Sequence, residues 1–111
     1  MRIITRRRLR DFAAQSSHRD AARPLADWAD LVSLAAWKSP ADVKSTFGKR
    51  VDFVKTLRTG ATVAVFDVAA NKYRLIAAIH YLDEFPELGR VYVLRILTHR
   101  EYDRNEWKRE L

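Results

Sequence analysis

The run Thr62–Val63–Ala64–Val65–Phe66–Asp67–Val68, then Ala69–Ala70–Asn71, then Lys72–Tyr73–Arg74–Leu75–Ile76–Ala77–Ala78–Ile79–His80–Tyr81 decides the fold. Its period is two, and β-branched residues crowd the first half, as a pleated strand favours. Ala69–Ala70–Asn71 breaks the alternation, and Asn71 tolerates left-handed backbone, so the two halves form an antiparallel hairpin. In its second strand Tyr73, Leu75, Ala77 and Ile79 point one way, and Lys72, Arg74, Ile76 and Ala78 the other. Asp83 to Gly89, with Pro86, reads as a polar connection to a further strand over Arg90–Leu97. The expectation is a three-stranded meander, extended by a brief strand at Arg2–Ile3–Ile4.

Before the hairpin the period is helical. Leu9, Phe12 and Ala13 make one buried face of a first helix from Arg6 to Gln15, with Thr5 as its N-cap. Arg6, Arg7, Arg8 and Arg10 then lie on the other faces. Three arginines in a first turn oppose the helix dipole, which favours anions there, so the cluster is either a solvated face or a ligand grip. Leu25, Trp28, Ala29, Val32 and Ala36 carry a second helix to Trp37, with Pro24 in its first turn. Ser39–Pro40–Ala41–Asp42 opens a third: Ser39 caps, Pro40 takes the first helical position and Asp42 suits a capping box. It ends near Gly48. Lys49 to Gly60 reads as a loop, although Val51, Phe53 and Val54 are compatible with an irregular strand. Glu101 to Leu111 reads as a short charged helix or tail. The fold class is α+β: N-terminal helices on a small antiparallel sheet, in one domain spanning 1–111.

Composition narrows the function. Twenty-one Lys and Arg stand against 14 Asp and Glu, a net charge of +7 on 111 residues. Such an excess favours a polyanionic partner through steering and counterion release. Cysteine is absent, which excludes disulfides and thiolate zinc sites and permits a reducing cytoplasm. His18, His80 and His99 have no metal-ligand spacing, so neither metal nor cofactor is expected. Arg6–Arg7–Arg8 is followed by Asp11, Gln15 and Ser16 rather than an apolar signal core, and no run reaches membrane-spanning length. A soluble, cytoplasmic protein is expected.

Two strand ends gather the reactive side chains: Asn71–Lys72–Tyr73–Arg74 and Thr98–His99–Arg100–Glu101–Tyr102–Asp103. Cleaving a phosphodiester beside a ribose hydroxyl needs a group that titrates near neutrality and a fixed cation on the phosphate. His99 and Arg74 suit these roles. Each also has a plainer reading, His99 as a surface residue and Arg74 as the ion-pair partner of Asp67, Glu101 or Asp103. Tyr73 reads as half-buried core or as a base-stacking platform. Arg95, inside an apolar strand, requires either a carboxylate partner or a phosphate, because an unpaired charge there is costly. It shares strand parity with His99, so the two project together if the strand continues that far.

Residues 65–76 and 91–103 together resemble the HigB-type mRNA interferase toxins of the RelE-like superfamily. Asn71–Lys72–Tyr73–Arg74–Leu75–Ile76 and Thr98–His99–Arg100–Glu101–Tyr102–Asp103 carry the likeness most specifically. Trp37–Lys38–Ser39–Pro40–Ala41–Asp42–Val43–Lys44 extends it upstream. The sequence departs at Ala70, where relatives commonly carry glycine, and over 46–62. The resemblance implies a RelE-like fold, cleavage of mRNA on the translating ribosome, and neutralisation by a HigA-like helix-turn-helix antitoxin. On this reading His99 and Arg74 are catalytic with Arg95 and Tyr102 in support, and Lys72, Tyr73 and Arg100 contact RNA. Arg6, Arg7, Arg8 and Arg10 are read from their charge and position, not from the resemblance, as an electrostatic grip on it. Two other outcomes remain compatible with the residues: a non-catalytic RNA- or ribosome-binding module, and a RelE-like toxin acting on DNA gyrase.

Overall fold

The computed structural model describes residues 1–81 and 89–111. Most of the connection expected over Asp83–Gly89 falls outside them. The described elements run β1 (Arg2–Ile4), α1 (Arg7–Ala14), a 3₁₀ segment (Ser16–Ala21), α2 (Ala22–Leu34), α3 (Pro40–Phe47), a 3₁₀ turn (Gly48–Arg50), β2 (Val51–Lys55), β3 (Thr62–Val68), β4 (Tyr73–His80), β5 (Arg90–Thr98), α4 (His99–Asp103) and α5 (Glu106–Glu110).

The hairpin forms as its pattern requires, with Val68 opposite Tyr73 and Asp67 opposite Arg74. The sheet around it is larger than the expected meander and is mixed. Its order is β1-β5-β4-β3-β2. β1 lies parallel to β5, Ile3 beside Val91, so the antiparallel expectation is corrected at that edge. The loop expected from Lys49 to Gly60 contains β2, which pairs antiparallel with β3, Val51 opposite Phe66. Asp52 and Lys55 are exposed on this edge strand, and charges of that kind protect an edge while masking its apolar alternation.

Two apolar layers hold the sheet. Helices α1 to α3 bury Leu9, Phe12, Leu25, Trp28, Val32 and Phe47 against Phe66, Tyr73, Leu75, Val91 and Val93. On the other face Val63, Val65 and Ile76 pack with Trp107 of α5. One strand can serve both layers because successive side chains alternate. Between Ile76 and Ala77 the β4–β5 register slips: Ile76 faces Arg95 while Ala77 faces Val93, leaving Leu94 as the extra residue of a bulge.

Local details differ from the sequence reading where tertiary contacts intervene. Thr5 is not a side-chain cap. Its backbone is left-handed, at φ 66°, and its hydroxyl donates to the Val93 carbonyl at 2.9 Å. A 3₁₀ segment, rather than a simple break, joins α1 to α2. Helix α2 stops at Leu34, so Ala36 and Trp37 lie beyond it. Trp37 is nevertheless buried, its indole donating to Thr46 Oγ1 at 2.9 Å. Helix α3 begins at Pro40, and Asp42 accepts from the Lys38 amide at 2.8 Å.

Candidate active site

The site stands on the α5 side of the sheet, where the ends of β3, β4 and β5 meet α4. Thr98 starts α4 with a reciprocal cap. Its hydroxyl accepts from the Glu101 amide at 3.2 Å, and Glu101 Oε1 accepts from the Thr98 amide at 3.0 Å. β5 therefore ends at Thr98, and His99 is the first residue of a helix instead of a strand continuation. Its amide donates to the Lys72 carbonyl at 3.2 Å, which ties the helix start to the hairpin.

Arg74 is the anchor. It is 8% exposed, yet each end of its guanidinium is engaged. Nε pairs with Asp67 at 3.0 Å, Nη1 donates to the Asn71 carbonyl at 2.9 Å, and Nη2 lies 3.1 Å from His99 Nδ1. Of the three partners the sequence allowed, Asp67 is the one realised, because the hairpin register sets it directly across the ladder. An arginine N–H only donates, so His99 Nδ1 is accepting and its proton sits on Nε2. That nitrogen lies 3.1 Å from Asp103 Oδ2. The Tyr102 ring lies 5.5 Å from the Arg74 carbon and stacks on Trp107, centroids 5.2 Å apart. Burial, then the Asp52 charge, raise the Tyr102 pKa, so its phenol keeps its proton at neutral pH.

Arg74 and Tyr102 open onto a groove of about 440 Å³ whose rim carries Lys44, Lys49 and Asp52. Sequence reasoning did not assign these three residues. Lys44 comes from α3, whereas Lys49 and Asp52 come from the following turn and β2, inside the region read as a loop, so the placement of those two depends on a strand pairing that the local pattern masks. Asp103 was also missed as a site residue, although its position four residues after His99 on a helix brings the two together.

The remaining candidates lie elsewhere. Arg95 pairs with Glu110 Oε2 of α5 at 3.5 Å, so the carboxylate alternative is realised. The parity argument joining it to His99 fails, because His99 is helical. Tyr73 as an RNA platform is corrected: it is buried on the α1 side, edge-on to Phe12 and His18. Its hydroxyl donates to Asp20 at 2.6 Å, and Lys72 Nζ pairs with the same carboxylate. These hydrogen bonds, the one from Lys72 first, lower the Asp20 pKa. Arg100 is exposed on α4. Arg6, Arg7, Arg8 and Arg10 are exposed around α1, on the helical side of the sheet, and are not brought to the Arg74 cluster. Arg6 bonds to Ser33 Oγ at 2.8 Å, and Arg7 pairs with Asp11 at 3.6 Å.

The family model of the HigB toxin, described as the RelE-like toxic component of a toxin–antitoxin system, matches residues 21–105. The chain belongs to the HigB toxin family. Membership makes it the toxic component of such a system, with an antitoxin as its partner. The match takes in the hairpin, the Arg74–His99 contact and the groove lysines, but not β1 or the arginines of α1. A search of curated proteins found no match for this HigB-family chain. Among the described residues, no helix is long and apolar enough to cross a membrane, and no group of three or more His, Cys, Asp or Glu could hold a metal.

Proposed function

We propose that this HigB-family toxin is an endoribonuclease that cleaves mRNA on translating ribosomes by metal-independent acid–base chemistry. The observation that carries the reading is the 3.1 Å contact between Arg74 Nη2 and His99 Nδ1 beside a groove rimmed by Lys44 and Lys49. In the free protein that contact occupies both groups. A phosphate entering the groove offers Nη2 an anionic acceptor, and a charge-assisted bond is stronger than one to neutral imidazole. Nδ1 is then left with a free lone pair facing the ribose.

The chemistry follows from that exchange. Nδ1 takes the 2′-hydroxyl proton, the oxygen attacks phosphorus, and the bond to the 5′-oxygen breaks, leaving a 2′,3′-cyclic phosphate. Arg74, fixed from behind by Asp67 and Asn71, stabilises charge on the non-bridging oxygens. Tyr102, with its proton retained, donates toward the leaving oxygen. Arg95 supports the site indirectly by holding α5 through Glu110. Arg100 and the groove lysines grip flanking phosphates, and Lys72 shares its charge between RNA and Asp20. The toxin acts in the cytoplasm and is neutralised by a HigA-like helix-turn-helix antitoxin.

Mapping RNA 5′ ends after brief induction tests this, wild type beside His99→Ala. Discrete ends are expected for the wild type, falling by about 10²–10⁴ in the variant if His99 moves a proton. Equal ends at matched expression would remove His99 from the mechanism. In an assay that cuts RNA without ribosomes, cleavage should persist in EDTA, and a loss restored by one added divalent ion would contradict the metal-independent step.

A further inference from the structure

A second cavity, of about 460 Å³, adjoins the groove, and Asp67 lines both. Trp28, Leu31 and Phe47 make its apolar wall. Leu31 is 41% exposed, and the Trp28 indole Nε1 is a buried donor with no partner among the described residues. Arg50 lies over the Phe47 ring, its guanidinium carbon 5.4 Å from the centroid. Asp27 stands at the same cavity, and its one ion pair among the described residues is an exposed contact to Arg23 at 4.0 Å. The remaining wall is the turn Ala69–Ala70–Asn71, whose three residues all have positive φ. Through its Asn71 carbonyl that turn also holds Arg74 Nη1.

We propose that this cavity binds the nucleobase next to the scissile phosphate and favours a base bearing an exocyclic amino group. Aromatic and aliphatic walls with a guanidinium already placed over a ring suit a planar heterocycle. Asp27 is an acceptor only, so it rewards an edge that donates, as the amino groups of adenine, cytosine and guanine do. Uracil presents carbonyl oxygens at its exocyclic positions and donates only from the ring N3–H that they flank. Because one turn both walls the cavity and braces Arg74, a seated base also bears on the residue that meets the phosphate. The inference rests on the ribonuclease reading for its RNA context, whereas base binding itself does not require cutting.

The test uses the full chain carrying His99→Ala, titrated with GMP, AMP, CMP and UMP while tryptophan fluorescence is followed. The three amino-bearing nucleotides should quench at several-fold lower concentration than UMP. Asp27→Ala should erase that difference, Arg50→Ala should weaken all four, and Trp28→Phe should abolish the signal. Asp27 and Arg50 are exposed, so those two variants keep the test open even if Trp28→Phe misfolds. Equal response to the four nucleotides, or a preference that survives Asp27→Ala, would overturn the proposal. In parallel, Asp27→Ala on the otherwise wild-type chain should relax the base preference at mapped RNA ends. Discrete ends without nucleotide discrimination would sink the base site and leave the nuclease standing. Discrimination without ends would do the reverse.

Discussion

Asp67 matters at the scale of single residues because it neutralises a guanidinium that has almost no access to water. Arg74 Nε pairs with it at 3.0 Å, and the other described partners of Arg74 are carbonyls, an imidazole nitrogen and a ring face. Breaking a fully buried pair costs about 3–5 kcal/mol, because the surviving charge is left without compensation. A third of the Asp67 side chain is exposed, so Asp67→Ala should cost less, roughly 2–3 kcal/mol. Urea denaturation should show a lower midpoint at an unchanged slope. An unchanged midpoint would mean that water screens Arg74 and that its placement does not depend on Asp67. The sequence left Asp67 as one of three partners; the hairpin register selected it.

The turn between β3 and β4 is the element that sets that register, and it is strained. Ala69, Ala70 and Asn71 have φ of 55°, 51° and 75°. Left-handed backbone costs a residue with a Cβ roughly 1–2 kcal/mol, whereas glycine adds about 0.5–1 kcal/mol of unfolded-state entropy. Ala70→Gly should therefore stabilise the chain by up to about 1 kcal/mol, raising the thermal midpoint by a few degrees. A fall in the midpoint would show that the alanine methyl packs favourably and that the strain is relieved in another way. The sequence reading assigned the left-handed residue to Asn71 and identified Ala70 as the departure from relatives. It did not reach Ala69, because alanine carries no positive-φ signal of its own.

Over the whole molecule, the basic charge divides between two sides. Lys44 and Lys49 rim the groove, while the α1 arginines stand on the helical side. Neutralising Arg6, Arg7, Arg8 and Arg10 to Gln should weaken RNA binding about equally for all sequences. It should also flatten the salt dependence on single strands, by about 0.7 in log–log slope for each phosphate that is no longer neutralised. Cutting at saturating RNA should persist, since none of the four touches the Arg74 cluster. Filter binding across a salt series checks this, and an unchanged slope would mean that α1 does not meet RNA.

Alternation and turn chemistry were local, so the sequence by itself determined the β3–β4 hairpin, the α1–α3 helices and the α+β class. The same alternation places Arg74 and Tyr73 on opposite faces of the sheet. The Asn71–Arg74 and Thr98–Asp103 motifs carried the family. Pairing between distant segments is not written in any local period, so only the tertiary structure decided that β1 joins β5 in parallel. It likewise turned a charged stretch into the edge strand β2, which brings Lys49 and Asp52 to the groove. The bulge at Leu94 and the α4 cap decided the site in the same way. The first shifts the β5 pairing by one residue and the second ends the strand before His99. Arg95 therefore meets Glu110, while His99 meets Arg74.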